Sequence, residues 1–224
     1  MKQLKTWSIA AGLLAGAAFA TPSFAEFNFG GANVTNSKIQ FTGLGNVISF
    51  LAGLGGNGFE ITYSDAGAID GAVGNFTGPW SIGAITVNGG IQSAPVNGIG
   101  SFAINDGTGI FSGALTWDRI QSSGTSTTLN IDGVGNLTGM SYSGTGAYLA
   151  GLAAQSEAMV SLTAQFLPAR TLTQLTQDGR AFSSSYSFAV YAVPEPSTYA
   201  LIGVGLMGVG LSLRGRKQGA KRLG

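Results

Sequence analysis

The chain has 224 residues, of which 37 are Gly and only 9% are charged, and it contains neither His nor Cys. That charge content is far below the ~25% of ordinary soluble proteins, while 44% apolar residues are too many for a disordered chain and the glycines lack the period of collagen. The missing His and Cys exclude Ser-His-Asp and Cys-His catalysis, thiolate and imidazole metal sites, and disulfides.

Lys2 and Lys5 precede an uncharged apolar run from Trp7 to Ala20, and Ser23, Phe24 and Ala25 then place small residues where a signal peptidase reads. Residues 1–25 are therefore predicted to be a secretory signal peptide cleaved after Ala25, which leaves Glu26 as the first residue. Ala18-Phe19-Ala20 offers an earlier site. At ~14 residues the apolar run is short for a membrane span.

Residues 26–193 form the predicted exported domain and carry four cations against nine acids, a net charge of −5, so the overall +1 belongs to the ends of the chain. A basic footprint is missing here, and no nucleic-acid partner is expected. Apolar residues alternate with polar or small ones at Phe59-Ile61-Tyr63, Ile85-Val87, Phe102-Ile104 and Leu129-Ile131. The same period of two runs through Phe111, Gly113, Leu115 and Trp117, through Val160, Leu162, Ala164 and Phe166, and through Tyr186, Phe188 and Val190.

Turn signals separate these runs: Gly-Gly-Asn-Gly at 55–58, Asn88-Gly89-Gly90, Asn97-Gly98, Asn105-Asp106-Gly107, Asp132-Gly133 and Asp178-Gly179. Residues 147–158, rich in Ala and Leu, predict one short helix covering an open end or edge of a sheet. A faint echo links residues 69–78 to residues 131–139, but two copies do not make a solenoid. The predicted class is mainly β: an antiparallel β-sandwich or β-roll with one short helix, flanked by an N-terminal signal helix and a C-terminal membrane helix.

The last segment, 194–224, changes character. Pro194-Glu195-Pro196 is followed by Ser197, Thr198 and Tyr199, by an uncharged apolar stretch over 199–213, and by Arg214, Arg216, Lys217, Lys221 and Arg222 in a basic tail over 214–224. As a helix, 199–213 covers about 22 Å at ~1.5 Å per residue, and it crosses the inner membrane when its flanking residues and snorkelling Arg side chains are counted. The positive-inside rule keeps the basic tail cytoplasmic and the domain outside. Each proline fixes its own φ, and Pro196 disfavours helix at Glu195, so this tripeptide is expected to stay extended and accessible.

This order of features resembles the PEP-CTERM sorting signal of Gram-negative bacterial surface proteins over about residues 193–217. The resemblance implies an exosortase, a transpeptidase-like membrane enzyme, as partner, with Pro194, Glu195 and Pro196 as the recognition and processing motif. It further implies a cell-surface or extracellular location, with a transient or retained membrane anchor and an association with exopolysaccharide and biofilm. Signal peptidase is the partner at the other end. Proteins with this tail share an address, and the resemblance assigns no activity to the domain.

Other chemistry in the domain is sparse. Gly53-x-Gly55-x-x-Gly58 and Gly203-x-Gly205-x-x-Gly208 match the dinucleotide fingerprint but lack its strand-turn-helix setting. Asp-Gly pairs are explained as turns, so no metal and no cofactor is expected. The leading expectation is a noncatalytic surface or matrix protein. The alternative is a glycan-binding module in which Trp80 and Trp117, with Tyr63 or Tyr142, stack on sugar rings, which requires those aromatics to be exposed. The third is a glycan hydrolase with paired carboxylates, for which Asp118 beside Trp117 and Arg119 is the local cluster to inspect.

Overall fold

The alternation of apolar and polar residues becomes an alternation of inside and outside. The computed structural model describes residues 26–30, 37–125 and 128–193, all within one unit, Phe24–Val193. In chain order its strands are β1 (Glu26–Gly30), β2 (Lys38–Thr42), β3 (Val47–Leu51), β4 (Phe59–Ser64), β5 (Val73–Thr77), β6 (Trp80–Ile82) and β7 (Thr86–Asn88). There follow β8 (Ile91–Asn97), β9 (Ile99–Asn105), β10 (Ile110–Thr125) and β11 (Thr128–Tyr142). Helix α1 (Ala147–Ala153), β12 (Glu157–Gln165), helix α2 (Leu172–Leu175), β13 (Ala181–Ser184) and β14 (Tyr186–Ala192) complete the order.

Eight strands close into an antiparallel barrel in the order β11-β12-β14-β1-β4-β5-β9-β10, with β10 pairing back onto β11. Phe27, Phe59, Phe76, Phe102, Phe111 and Phe188 point inward and are buried. Their rings meet in offset contacts, such as Phe76 on Phe188 at 4.8 Å and Phe59 on Phe102 at 5.3 Å, so the lumen is a packed core. Asn28, Ser112, Ser141, Ser161, Thr163 and Ser187 lie on the outer surface of the wall, half-buried to exposed. That polarity is the reverse of a membrane barrel, whose outer band is apolar.

Closure is where the fold departs from the expected sandwich or roll. The Asp132-Gly133 pair, expected to be a turn, lies inside β11, where Asp132 faces Gln121 and Gly133 faces Ile120. Strand β10 is consequently 16 residues long and has two different neighbours on its other side: Ile110 to Thr116 pair with β9, and Arg119 to Ser122 pair with β8. A bulge between Trp117 and Arg119 marks the switch, because an extra residue increases local twist and bending. Beyond it, β8, β6, β3, β2 and β13 form a second run of sheet that brings Phe50 against Phe76, Trp117 and Phe188 of the wall.

The expected helix is shorter than 147–158. It ends at Ala153, and Glu157 and Ala158 belong to β12, where pairing with Thr138 and Leu137 of β11 overrides local helix preference. Leu149 and Leu152 anchor α1 in the core. The echoed segments are not a structural repeat, since residues 69–72 form a turn and residues 131–139 lie in one strand. Among the described residues no helix is long and apolar enough to cross a membrane. The predicted signal helix within 1–25 and membrane helix at 199–213 lie outside the described residues.

Candidate functional site

One rim of the barrel gathers the beginning of β1, the ends of β4, β11 and β14, the β9–β10 turn, α1 and the beginning of β12. Strands β1 and β14 are antiparallel neighbours with Glu26 opposite Tyr191 and Phe27 opposite Val190. The first and last wall residues of the domain therefore lie side by side, about 5 Å apart between opposing Cα atoms. Beyond Ala192, Val193 is 39% exposed and its N–H reaches the Glu157 carbonyl at 3.5 Å. Ala25, the motif residues Pro194, Glu195 and Pro196, and the basic tail lie outside the described residues. Their attachment points on the wall are nonetheless adjacent.

Side chains from distant elements hold this rim. The Glu26 N–H donates to Asp65 Oδ2 at 3.0 Å, and the Glu26 carbonyl accepts from the Tyr148 hydroxyl at 2.9 Å. Burial, reinforced by the charges of Asp65 and Glu26, pushes the Tyr148 hydroxyl up to about 12, so it stays a neutral donor across ordinary pH. Ser64 is buried; its hydroxyl donates to Asp70 Oδ1 at 2.6 Å and accepts from the Ile69 N–H at 3.0 Å.

Asp106, in the β9–β10 turn, accepts from the Thr108 N–H, the Thr108 hydroxyl and the Gly109 N–H, each at 2.9 Å, and from the Tyr142 hydroxyl. The Tyr142 oxygen in turn accepts from the Gly146 N–H at 2.9 Å, which ties the turn to the entrance of α1. Desolvation of Asp106 opposes ionisation, but these donors, Tyr142 foremost, outweigh it and hold the carboxyl below its ordinary value. A depressed carboxyl stabilises the fold above its unfolded pKa, and that contribution is lost as pH falls through the folded value. The melting-temperature difference between wild type and Asp106→Asn should therefore be widest above pH 5 and shrink towards pH 2, as thermal melts across that range will report.

The tryptophans are elsewhere and inside. Trp80 is 1% exposed, with Nε1 donating to the Leu115 carbonyl at 3.4 Å, and Trp117 is 5% exposed against Phe50 and Phe188. Exposure was the condition for sugar stacking, and neither Trp80 nor Trp117 meets it, because both sit on inward positions of their strands. Tyr142 is half-buried and its hydroxyl is engaged in the rim network; Tyr63 is exposed.

Asp118 and Arg119 are exposed, and Asp118 receives the Asn136 amide at 3.3 and 3.4 Å in a cross-strand pair. A shallow depression of about 240 Å³ between β5 and β9, lined by Asn57, Val73, Asn75, Asn105 and Ile110 among others, is smaller than usual ligand sites of about 300–1,000 Å³. Trp80 and Trp117 both pack on Phe50 in the core, whereas Asp118 and Tyr63 are exposed, so the candidates do not form one surface site. The rim residues Asp65, Asp106 and Tyr148 were not singled out in the sequence. Only the Asn-Asp-Gly turn at 105–107 carried a local signal.

Comparison with known families decides the tail. The family model of the PEP-CTERM protein-sorting motif matches residues 192–217. The chain carries a PEP-CTERM sorting domain. The match starts on Ala192, the last residue of β14, so in this PEP-CTERM protein the motif follows a wall strand with a single intervening residue, Val193. No curated protein and no solved structure matches the chain. The motif marks the protein for exosortase processing and export to the envelope or surface of a Gram-negative bacterium.

Proposed function

We propose that this PEP-CTERM protein is a noncatalytic surface or matrix protein: a barrel exported by a signal peptide, displayed outside the cell, and anchored or released by processing at Pro194, Glu195 and Pro196. The observation that carries this reading is the pairing of β1 with β14, which sets the start of the exported domain beside the strand that runs into the motif. A filled aromatic lumen and a wall of Ser, Thr and Asn suit a stable hydrated module. The association with exopolysaccharide and biofilm comes from the family resemblance and not from the barrel. Among the aromatics named for glycan stacking, exposed Tyr63 keeps a surface contact with sugar open, independent of the tryptophans.

The test is replacement of Pro194, Glu195 and Pro196 by Ala in the native host. The expected result is accumulation of the full-length chain in the membrane fraction and at least about a tenfold loss of tail-processed protein on immunoblots. Unchanged processing removes the exosortase reading. A glycan array and a self-association assay on the exported protein then separate display, glycan binding and assembly, while turnover of a polysaccharide would refute the noncatalytic role.

A further inference from the structure

Glu26 is held in an unusual way for the first residue of a strand. Its N–H is taken by a carboxylate, Asp65 Oδ2 at 3.0 Å, and its carbonyl by a phenol, Tyr148 at 2.9 Å. Asp65 begins the turn after β4, the wall neighbour of β1, and Tyr148 comes from α1, so the turn after one neighbouring strand and the rim helix converge on one backbone residue. That residue is the one that signal-peptide removal after Ala25 would make the first of the mature chain.

Cleavage changes the chemistry of the nitrogen that Asp65 already faces. Water adds across the Ala25–Glu26 amide: the C–N bond breaks, the Ala25 carbonyl carbon gains the hydroxyl and becomes a carboxylate, and the Glu26 nitrogen becomes an amine that binds a proton. Before cleavage the nitrogen is a neutral amide with one donor; afterwards it is an ammonium with three, because a free α-amino group has a pKa of about 7.7–8.0.

We propose that Asp65 is the receptor for the mature N-terminus, converting a neutral contact into a charge-assisted ion pair when the signal peptide is removed. The inference rests on the cleavage reading. The Asp65 carboxylate at the nitrogen and the Glu26 carboxylate on the same residue are anions that favour a cation there at neutral pH, while the neutral Tyr148 phenol is occupied with the Glu26 carbonyl and Tyr63 lies opposite Asn28 on β4. Tyr191 faces Glu26 from β14. The consequence falls on the wall: β1 sits between β4 and β14, so fixing its first residue secures the strand beside the one that leads to the sorting motif. Release from one processing enzyme thereby firms the wall that is presented to the other.

The experiment is amine-selective acylation of the exported protein across pH 6–10, read by mass spectrometry on the N-terminal peptide, which runs to Lys38, the next lysine. The expected pH midpoint lies above 8 in the wild type, and acylation at pH 7 is at least about threefold slower than in Asp65→Asn, since each unit of raised pKa lowers the free amine about tenfold. In denaturant the two chains should react alike. A wild-type midpoint within the ordinary range overturns the capture, whether or not the variant folds. A first residue other than Glu26 overturns both the capture and the cleavage reading, whereas Glu26 with an ordinary midpoint overturns the capture alone.

Discussion

Replacing Gly74 by Ala is expected to unfold the barrel or bring it close to unfolding. A Cβ at this position of β5 would stand 2.1 Å from the Phe59 Cζ and 2.3 Å from the Ala103 carbonyl oxygen. Neither neighbour has room to yield. Phe59 is fully buried and stacked on Phe102, and Ala103 belongs to β9, which is paired with β5 and β10 on its two sides. Overpacking costs about 1–3 kcal/mol when side chains alone adjust, and more when backbone must separate. Against a total stability of about 5–15 kcal/mol, a loss of ~3 kcal/mol or more is a large share. Thermal or urea denaturation of the exported protein will show a fall of about 10 °C or more, and a midpoint equal to wild type would contradict the packing described above.

Trp80→Ala should be nearly as damaging, with a direct bearing on function. The indole is buried, sits edge-on to Phe50 at 5.6 Å and donates to the Leu115 carbonyl. Gly100 opposes it so closely that a Cβ there would lie 2.0 Å from Trp80 Cζ2, so the indole occupies a space shaped by a glycine on the facing strand. Truncating a buried Trp costs about 3–5 kcal/mol through lost transfer energy and a residual cavity. Loss of any glycan signal in this variant would therefore report unfolding. Tyr63→Ala, at a 52% exposed position, should keep its unfolding free energy within about 0.5 kcal/mol of wild type and is the informative probe of a surface contact. Equal stability of Trp80→Ala and wild type would return the indole to the surface and reopen the stacking reading.

The legible strands either alternate over five or more residues, as at Val160 to Phe166, or are three-residue runs directly before an Asn-Gly or Asp-Gly signal, as at Ile85-Val87 and Phe102-Ile104. Strands β2, β3, β5, β6, β8 and β13 were not read, since short runs such as Trp80 to Ile82, or Val73 to Thr77 with Gly at its second place, carry little periodic signal. Strand β1 was missed because its Phe-Asn-Phe alternation spans only three residues after the expected signal cleavage. Turn glycines were mostly read correctly: Gly98, at φ 111°, would place a Cβ 2.0 Å from the Pro79 carbonyl oxygen. Composition predicts a turn at Gly133, yet it is a mid-strand glycine with Leu162 and Trp117 packed over it.

Residue order by itself determined the sorting motif and the mainly β character. The reason is that both the motif and strand periodicity are written in a few consecutive residues and need no contact from elsewhere in the chain. Only the tertiary structure decided that the wall closes into a barrel, that Trp80 and Trp117 face inward, and that Glu26 meets an aspartate 39 residues away and a tyrosine 122 residues away. Those outcomes depend on which strands pair and in what register, and that choice is set by non-local packing of side chains far apart in the chain.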